Sequence, residues 1–302
     1  MHKIAELIIK NRWAAIALVS LCGILSIRLL PSSYVTPIPY IGAAAIALIA
    51  LRNNLMDAII VLLASTGLTI MAAQGMEAKP GFHFSLVLAL WLPVLVCAWV
   101  LRVTRSQGAM ILVAGLWGGV LIVSLHGLTG DTVGWWKSWL AHVIDRVPGA
   151  TVEGFEKDNT LQQLTGLLSM LFGLGIILSM GLARWWQSTL FYAGGFQEEF
   201  CNLRLPFKAT LFVVTGGLLF WLLAPQIGID FIPLLVALFA IQGIASIHGI
   251  LNEKGRKATL IMPLYLLLVF MPGYVGSGLA LVGILDFLLD FRVRFRQQSA
   301  DQ

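Results

Sequence analysis

The chain has 302 residues, of which 58% are hydrophobic and only 12% charged, with a formal net charge of +5. Soluble domains carry about 25% charged residues, so this composition excludes an ordinary water-soluble domain and indicates a polytopic membrane protein. Because hydrocarbon offers no partners to backbone N–H and C=O groups, only helices or closed barrels cross it. The long apolar runs lack the alternation of a membrane barrel, so we predict an all-α transmembrane helix bundle.

Ten apolar segments approach the roughly 20 residues that a membrane-spanning helix needs. In chain order they cover 12–30, 34–51, 55–74, 82–101, 109–127, 163–183, 208–225, 230–250, 258–272 and 274–291. We take the first as an uncleaved span, since no small-residue cleavage pattern follows it. The ninth is the shortest, with Met262-Pro263 inside it and Met271-Pro272-Gly273 at its end. Either this helix is kinked, or the last two spans form a tight hairpin around GYVGSG at 273–278.

Basic residues predict the orientation, because cytoplasmic loops carry an excess of Lys and Arg. With the N-terminus inside, most of the 20 basic residues fall on the cytoplasmic side: Lys3, Lys10, Arg12, Arg52, Arg102, Arg105, Arg184, Arg204, Lys208, Lys254, Arg256, Lys257, Arg292, Arg294 and Arg296. The opposite face receives Arg28, Lys79, Lys137, Arg146 and Lys157. We therefore expect both termini in the cytoplasm of a bacterium, with the chain in its inner (plasma) membrane. The positive charge is an orientation signal, and we expect no nucleic-acid binding.

The spans divide into two blocks. Residues 1–127 hold the first five and residues 163–296 the second five, followed by a polar tail at 297–302. Between the blocks, 128–162 forms a non-cytoplasmic loop. Its Trp135, Trp139 and Val143 recur at helical spacing, which predicts an interfacial helix; a membrane anchor and an aromatic ligand platform are the two interpretations.

A cytoplasmic connector at 184–208 is the longest polar interruption on its side of the membrane. Its Gly194-Gly195 pair breaks the sixth span, because glycine costs helix stability of about 1 kcal/mol per residue. Phe196, Phe200 and Leu203 then share one face of a short amphipathic helix, which Pro206 stops. We expect that face to dock onto the membrane or the bundle.

Ionisable residues inside the spans are the first candidates for function, because burying them in hydrocarbon is costly. Asp286 and Asp290 lie one turn apart near the inner end of the last span, before Arg292, Arg294 and Arg296. They are candidates for a proton or cation site or for a polar contact that holds the bundle together. The alternative is that they pair with the following arginines at the interface.

Four further residues complete the candidate set. Gln242 and His248 lie in the eighth span, where a lone histidine typically forms a hydrogen bond between helices. Glu198 and Glu199 are adjacent on the connector helix and point about 100° apart, so a solvated face is expected in place of a catalytic pair.

Other polar residues of the spans have structural interpretations. We interpret Asp57 and Asp230 as interfacial or helix-capping groups, and His126 as a hydrogen-bonding group between helices. Spans six, seven, eight and ten carry glycines that allow close helix approach: Gly166, Gly173, Gly175, Gly216, Gly217, Gly243, Gly249, Gly276, Gly278 and Gly283. Packing is one interpretation of them, and a discontinuous helix that lines a cavity near Pro272 is the other.

The sequence contains no HExxH, GxSxG or nucleotide-binding signature, so we expect no catalytic residue, metal or cofactor. Two stretches, GGFQEEFCNLRLP at 194–206 and LVGILDFLLDFRVRF at 281–295, resemble the YybS-like family of uncharacterised bacterial integral membrane proteins. The resemblance covers chiefly residues 160–296. That family is distantly similar to the substrate-binding membrane subunits of energy-coupling vitamin transporters. It supplies no established active site, so no site residue is carried over.

Two functions are expected from these observations. The first is a membrane subunit of a transport system that binds a small molecule or lipid. The second is a structural or assembly protein of the cell envelope that acts through membrane or cytoplasmic protein partners. We do not expect an enzyme.

Overall fold

The computed structural model describes residues 2–29, 37–74, 82–143, 154–155, 159–191, 193–253, 261–290 and 292. Thirteen helices and no strand are defined within these residues, which confirms the predicted all-α class. The helices are α1 His2–Lys10, α2 Arg12–Leu29, α3 Ile38–Arg52, α4 Leu55–Gln74, α5 Phe82–Thr104, α6 Gln107–Thr129, α7 Thr132–Val143, α8 Thr160–Phe191, α9 Gly195–Cys201, α10 Phe207–Leu223, α11 Pro225–Glu253, α12 Met262–Phe270 and α13 Pro272–Leu289.

Five helices are long and apolar enough to cross a membrane: α4, α6, α8, α11 and α13. A sixth span results if α1 and α2, which are bent by 119° at their break, count as one. α3, α10 and the 89–104 part of α5 are apolar but shorter. α12 has nine residues and a length of about 13.5 Å, against about 30 Å of hydrocarbon. A membrane protein is thus supported, while ten spans with both ends inside stay a prediction.

Helices α12 and α13 are separated by a single non-helical residue, Met271, where the sequence predicted the ninth span to end. Of the two alternatives, a hairpin with its turn at 273–278 is wrong in the position of that turn: these residues form the first turns of α13, which contacts α12 across the break at Met271. Pro272 is tolerated at this helix start, where its missing N–H has no intrahelical partner to lose. An equally short break, the single residue Ala224, separates α10 from α11. α11 consequently begins at Pro225, five residues before the predicted start of the eighth span.

The chain forms two compact units, each assembled from three sections. Unit 1 comprises Met1–Ala114, Leu174–Leu205 and Ala245–Lys257, and unit 2 comprises Gly115–Gly173, Pro206–Ile244 and Ala258–Gln302. These sections cut across the two sequential blocks of spans, which stay an interpretation of the hydropathy.

In unit 1, α3 occupies the centre, against α2, α4 and α5. Its residues are buried without interruption from Gly42 to Ala50, as expected of a helix that is apolar on every side. Five of those nine are alanine, whose small side chains let neighbouring helices approach. The indole of Trp91 on α5 donates a hydrogen bond of 3.4 Å to the Pro39 carbonyl at the start of α3.

In unit 2, α11 and α13 cross in backbone contact. A Cβ atom on Gly243 would collide with the Leu279 carbonyl, and one on Gly283 with the Phe239 carbonyl. The packing interpretation is confirmed for these two glycines. A Cβ on Gly216, Gly276 or Gly278 would meet nothing within 4 Å, so close helix approach does not require glycine at these three positions.

Candidate functional site

Unit 1 contains an open polar cavity of about 780 Å³. Its walls come from the turn between α5 and α6, the end of α8, helix α9 and the residues that follow it. Four arginines and two glutamates line the cavity: Arg102, Arg105, Arg184, Arg204, Glu198 and Glu199. Uncharged polar side chains complete the lining: Ser106, Gln107, Gln187 and Asn202.

A tight turn between α5 and α6 forms one wall. Arg105 adopts a left-handed backbone with φ 54°, which reverses the chain within two residues. The Ser106 backbone N–H donates to the Thr104 hydroxyl at 3.2 Å, and the Ser106 hydroxyl accepts from the Ala109 N–H at 3.2 Å. Ser106 thus caps α6, and the turn places basic and polar side chains side by side.

The connector forms the opposite wall. α8 continues to Phe191, and Gly194, with φ 88°, supplies the left-handed residue from which α9 folds back. The Phe200 ring on α9 meets the His248 ring edge-on, with centroids 5.5 Å apart, and the Phe196 ring lies 6.3 Å from Phe200. The predicted amphipathic helix therefore docks against α11. His248 itself contacts this packing surface and does not line the cavity.

Arg184 and Glu199 join the two sides of the connector. The Arg184 Nε–H donates to Glu199 Oε2 at 3.1 Å, and a second guanidinium N–H donates to Oε1. Gln107 at the start of α6 donates to the same Oε2 at 2.8 Å, while the Gln187 amide oxygen accepts from Arg184. Arg184 is 12% and Glu199 32% exposed, so the pair is only partly screened by water. This network holds the cavity walls together and neutralises both charges.

The other charged side chains of the lining have different surroundings. Arg102 donates through Nη1 to the Ala50 and Asn53 carbonyls at 2.8 and 3.1 Å, at the C-terminus of α3. The Arg105 guanidinium has no hydrogen bond or ion pair with any described residue. Glu198 and Arg204 are exposed, and no described side chain pairs with the Glu198 carboxylate. The lining contains four arginines and two glutamates, so its formal charge is +2.

Asp286 and Gln242 lie together in unit 2, away from any solvent. Gln242 Nε2 donates to Asp286 Oδ2 at 3.1 Å, and Arg292 donates to Oδ1 at 3.3 Å through Nε and to Oδ2 at 2.7 Å through Nη2. All three residues are at most 3% exposed. The structure thus gives Asp286 the arginine partner of the second interpretation, but buried in the unit. Asp290 is half-buried at the end of α13, where its N–H donates to the Asp286 carbonyl at 3.0 Å.

His126 forms the predicted hydrogen bond between helices, and the partner that the sequence did not identify is Asp230 on α11. His126 Nε2 lies 2.7 Å from Asp230 Oδ2, and the Gly166 N–H donates to Asp230 Oδ1 at 3.1 Å. Asp230 is 1% exposed and lies in the second turn of α11, so the capping interpretation is wrong. Both residues lie near the predicted outer ends of their spans, and this shared depth in the membrane could have indicated that they meet.

Helix α7, which the sequence predicts to be interfacial, packs inside unit 2. The Trp136 indole is buried and donates to the Thr165 hydroxyl at 2.9 Å, on α8. Trp135 and Trp139 lie edge-on to the Trp136 ring at 4.8 and 5.6 Å. The aromatic cluster is thus fixed to the bundle through one of its members.

Within the described part of the chain, no three His, Cys, Asp or Glu side chains are grouped so that they could hold a metal ion. The arginine-lined cavity is the feature on which a function can be proposed. Comparisons of the chain with protein-family models, curated proteins and solved structures found no match.

Proposed function

We propose that this chain is a multi-pass protein of the bacterial inner membrane that binds a small molecule or lipid in the unit 1 cavity, as the membrane subunit of a transport system. The arginine-lined cavity is the observation that carries the proposal. Its volume of about 780 Å³ lies within the roughly 300–1,000 Å³ of small-molecule sites. The proposal also includes membership of the YybS-like family, based on residues 194–206 and 281–295.

A binding role is favoured because the cavity combines a fixed frame with unsatisfied charges. The Arg184, Glu199 and Gln107 network holds the walls in place before any ligand arrives, which lowers the entropic cost of binding. Arg105 and Glu198 lack partners among the described residues, so a ligand gains their interactions. A catalytic role is not favoured, since Glu199 is already committed to Arg184.

The proposed topology has ten membrane segments and both termini in the cytoplasm. The four arginines of the cavity then lie at cytoplasmic ends of helices, where the bias in basic residues also places them. A ligand would enter from the cytoplasm. Single cysteines in a cysteine-free background test this: Arg105→Cys should react with a membrane-impermeant maleimide only after permeabilisation, and Lys137→Cys should react in intact spheroplasts. The reverse pattern would overturn the orientation.

Ligand binding is tested by native mass spectrometry of the purified full chain. We expect a bound small molecule or lipid that is retained by the wild type and by Arg28→Glu, whose side chain is exposed outside the cavity. The molecule should be lost from Arg105→Glu, because the cavity then carries an additional negative charge. Absence of any retained molecule, or equal retention in both variants, would contradict the proposal.

An envelope assembly protein is the second candidate. The observation in its favour is that the cavity is open and bordered by helix ends and the connector, so the same surface is accessible to a protein partner. Crosslinking in cells followed by purification separates the two functions. One stoichiometric protein partner at α9, without a retained ligand, would favour assembly over transport.

A further inference from the structure

Unit 2 contains a second cavity, an open groove of about 400 Å³ between α6, α10 and α11. Lining residues of α6 and α10 recur every four positions, so each helix presents one face to the groove: Gly115, Gly119 and Val123 on α6, and Phe212, Gly216 and Phe220 on α10. From the first to the last of these positions a helix rises by about 12 Å. The groove therefore runs along the helix axes.

Helix α11 forms the floor of the groove, where Leu238 is 2% exposed. A Cβ atom on Gly115 would lie 2.6 Å from Leu238 Cδ1, and one on Gly119 would lie 3.0 Å from the Phe231 ring, so these glycines let α6 close onto the floor. The Phe220 ring stacks on Phe231 with centroids 5.6 Å apart, which joins α10 to the same floor. Both walls are thus in direct contact with α11.

The lining of the groove is almost wholly apolar. Among the described lining residues, Ser124 supplies the one polar side chain, and Gly, Val, Leu and Phe account for the others. The rims are accessible, since Phe212 is 76% and Val120 53% exposed, so the groove opens on the side away from α11. Helices α6 and α11 are long and apolar enough to cross a membrane. In the bilayer, such a groove opens toward hydrocarbon.

We infer that this groove binds one hydrocarbon chain of a membrane lipid, held along α6, α10 and α11. The volume of about 400 Å³ lies within the roughly 300–1,000 Å³ of small-molecule sites. Spanning helices tilt by about 20° on average from the bilayer normal, so a groove that follows them is aligned with the surrounding lipid chains. The groove is separate from the arginine-lined cavity, because no residue lines both.

A transmembrane helix from a second copy or another protein is the competing apolar occupant. The volume divided by the length of about 12 Å gives the groove a mean cross-section of about 33 Å². A helix with its side chains is about 10–12 Å wide, which corresponds to about 80–110 Å². Carbon atoms in contact lie about 3.5–4.0 Å apart, so a single hydrocarbon chain fits inside the groove, whereas a helix rests on its rims.

Gly216 provides a way to fill the groove without disturbing its walls. It lines the groove on α10, and a Cβ atom at this position would meet nothing within 4 Å. A leucine side chain here projects into the space assigned to the lipid chain. Gly278 on α13 is the matched control, because its Cβ position is equally open and it does not line the groove.

The first experimental arm places the full chain in nanodiscs of palmitoyl-oleoyl phosphatidylethanolamine and phosphatidylglycerol, followed by transfer to a delipidating detergent and native mass spectrometry. We expect the wild type and Gly278→Leu to retain a lipid that Gly216→Leu retains about tenfold less, because leucine displaces the contacts of about two methylene groups. Arg105→Glu should retain this lipid, which separates the groove from the unit 1 cavity. Equal retention by the wild type and Gly216→Leu would overturn the inference, whether or not the unit 1 cavity binds a ligand.

The second arm needs no variant, so it decides the question even if Gly216→Leu does not fold. A phosphatidylcholine with a diazirine group in one acyl chain is incorporated into the nanodiscs, and photolysis follows removal of the bulk lipid. Peptide mapping should find the label on groove walls such as Val120 or Phe212. Label confined to lipid-facing positions elsewhere, such as the exposed Leu281 on α13, would contradict the assignment.

Native mass spectrometry also tests the competing occupant. A dimer of the chain, or a complex with one other protein, that is present in the wild type and lost in Gly216→Leu would place a protein helix in the groove. With no difference in retained lipid, that result would overturn the lipid assignment. A monomer that differs from Gly216→Leu only in its retained lipid supports it.

Discussion

Arg184 and Glu199 form an ion pair across the glycine break of the connector, joining the end of α8 to α9. The two residues are fifteen positions apart, and only the reversal at Gly194 brings them together. Since Gln107 donates to the same carboxylate, the pair also fixes the start of α6. The shape of the cavity therefore depends on one carboxylate that receives hydrogen bonds from two helices.

Glu199→Gln should destabilise the protein by about 1–3 kcal/mol, because it leaves the part-buried Arg184 without its counter-charge. Glu198→Gln is the matched control and should have little effect, since the Glu198 side chain is exposed and has no described partner. Unfolding in mixed detergent micelles measures both. Equal losses for the two variants would contradict the assigned role of Glu199.

Asp286→Asn should lower the free energy of unfolding by more, about 3–5 kcal/mol. Arg292 is 1% exposed and would be left as an uncompensated buried charge. The double variant Asp286→Leu with Arg292→Met removes both charges and should be more stable than Asp286→Asn alone. The same unfolding measurement applies. A double variant as unstable as the sum of its single changes would show that the pair is not coupled.

Asp230→Ala should lower the free energy of unfolding by about 1–3 kcal/mol, because His126 would lose its carboxylate partner and the Gly166 N–H would lose an acceptor from outside its own helix. Asp230→Asn retains an oxygen at this site and should cost less. Folded yield and thermal unfolding in detergent measure the difference. If the two variants are equally stable, the Gly166 hydrogen bond does not contribute.

Gly283→Ala should destabilise unit 2 by about 1–3 kcal/mol or more, since its methyl group would strike the Phe239 carbonyl at the crossing of α11 and α13. Gly278→Ala is the matched control in the same helix, because nothing lies within 4 Å of its Cβ position. Alanine also favours a helix over glycine, so the control should be neutral or slightly more stable. A stable Gly283→Ala variant would contradict the close crossing.

Much of the secondary structure follows from the sequence because hydrophobic length and helix breakers act locally. The breaks at Gly194 and Met271 lie where the residues predicted them. The predicted stop at Pro206 is wrong, because α9 already ends at Cys201 and Pro206 instead precedes the first residue of α10. The hairpin at 273–278 was wrong because glycines are compatible with both a turn and a helix that has room around it. The sequence did not predict that only Ala224 separates α10 from α11. A break of one apolar residue adds no polar residues to the sequence that would mark it.

The candidate site was harder to predict. Glu198 and Glu199 were singled out, yet their different roles depend on which of them faces Arg184. The arginines of the cavity were used only to infer orientation, since nothing in their spacing shows that Arg102 and Arg105 lie near Arg204. Asp230 and His126 were noted separately, 104 positions apart in the sequence.

The sequence by itself determined the membrane class, the helical fold and the position of most helix ends, because these depend on solvation of the backbone and on local residue preferences. Only the tertiary structure decided which ionisable groups meet. Partners for Glu199, Asp230 and Asp286 come from distant helices or from the far side of a break, and burial makes each pairing strongly favourable over an unpaired charge. The same packing left Arg105 without a described partner in the cavity.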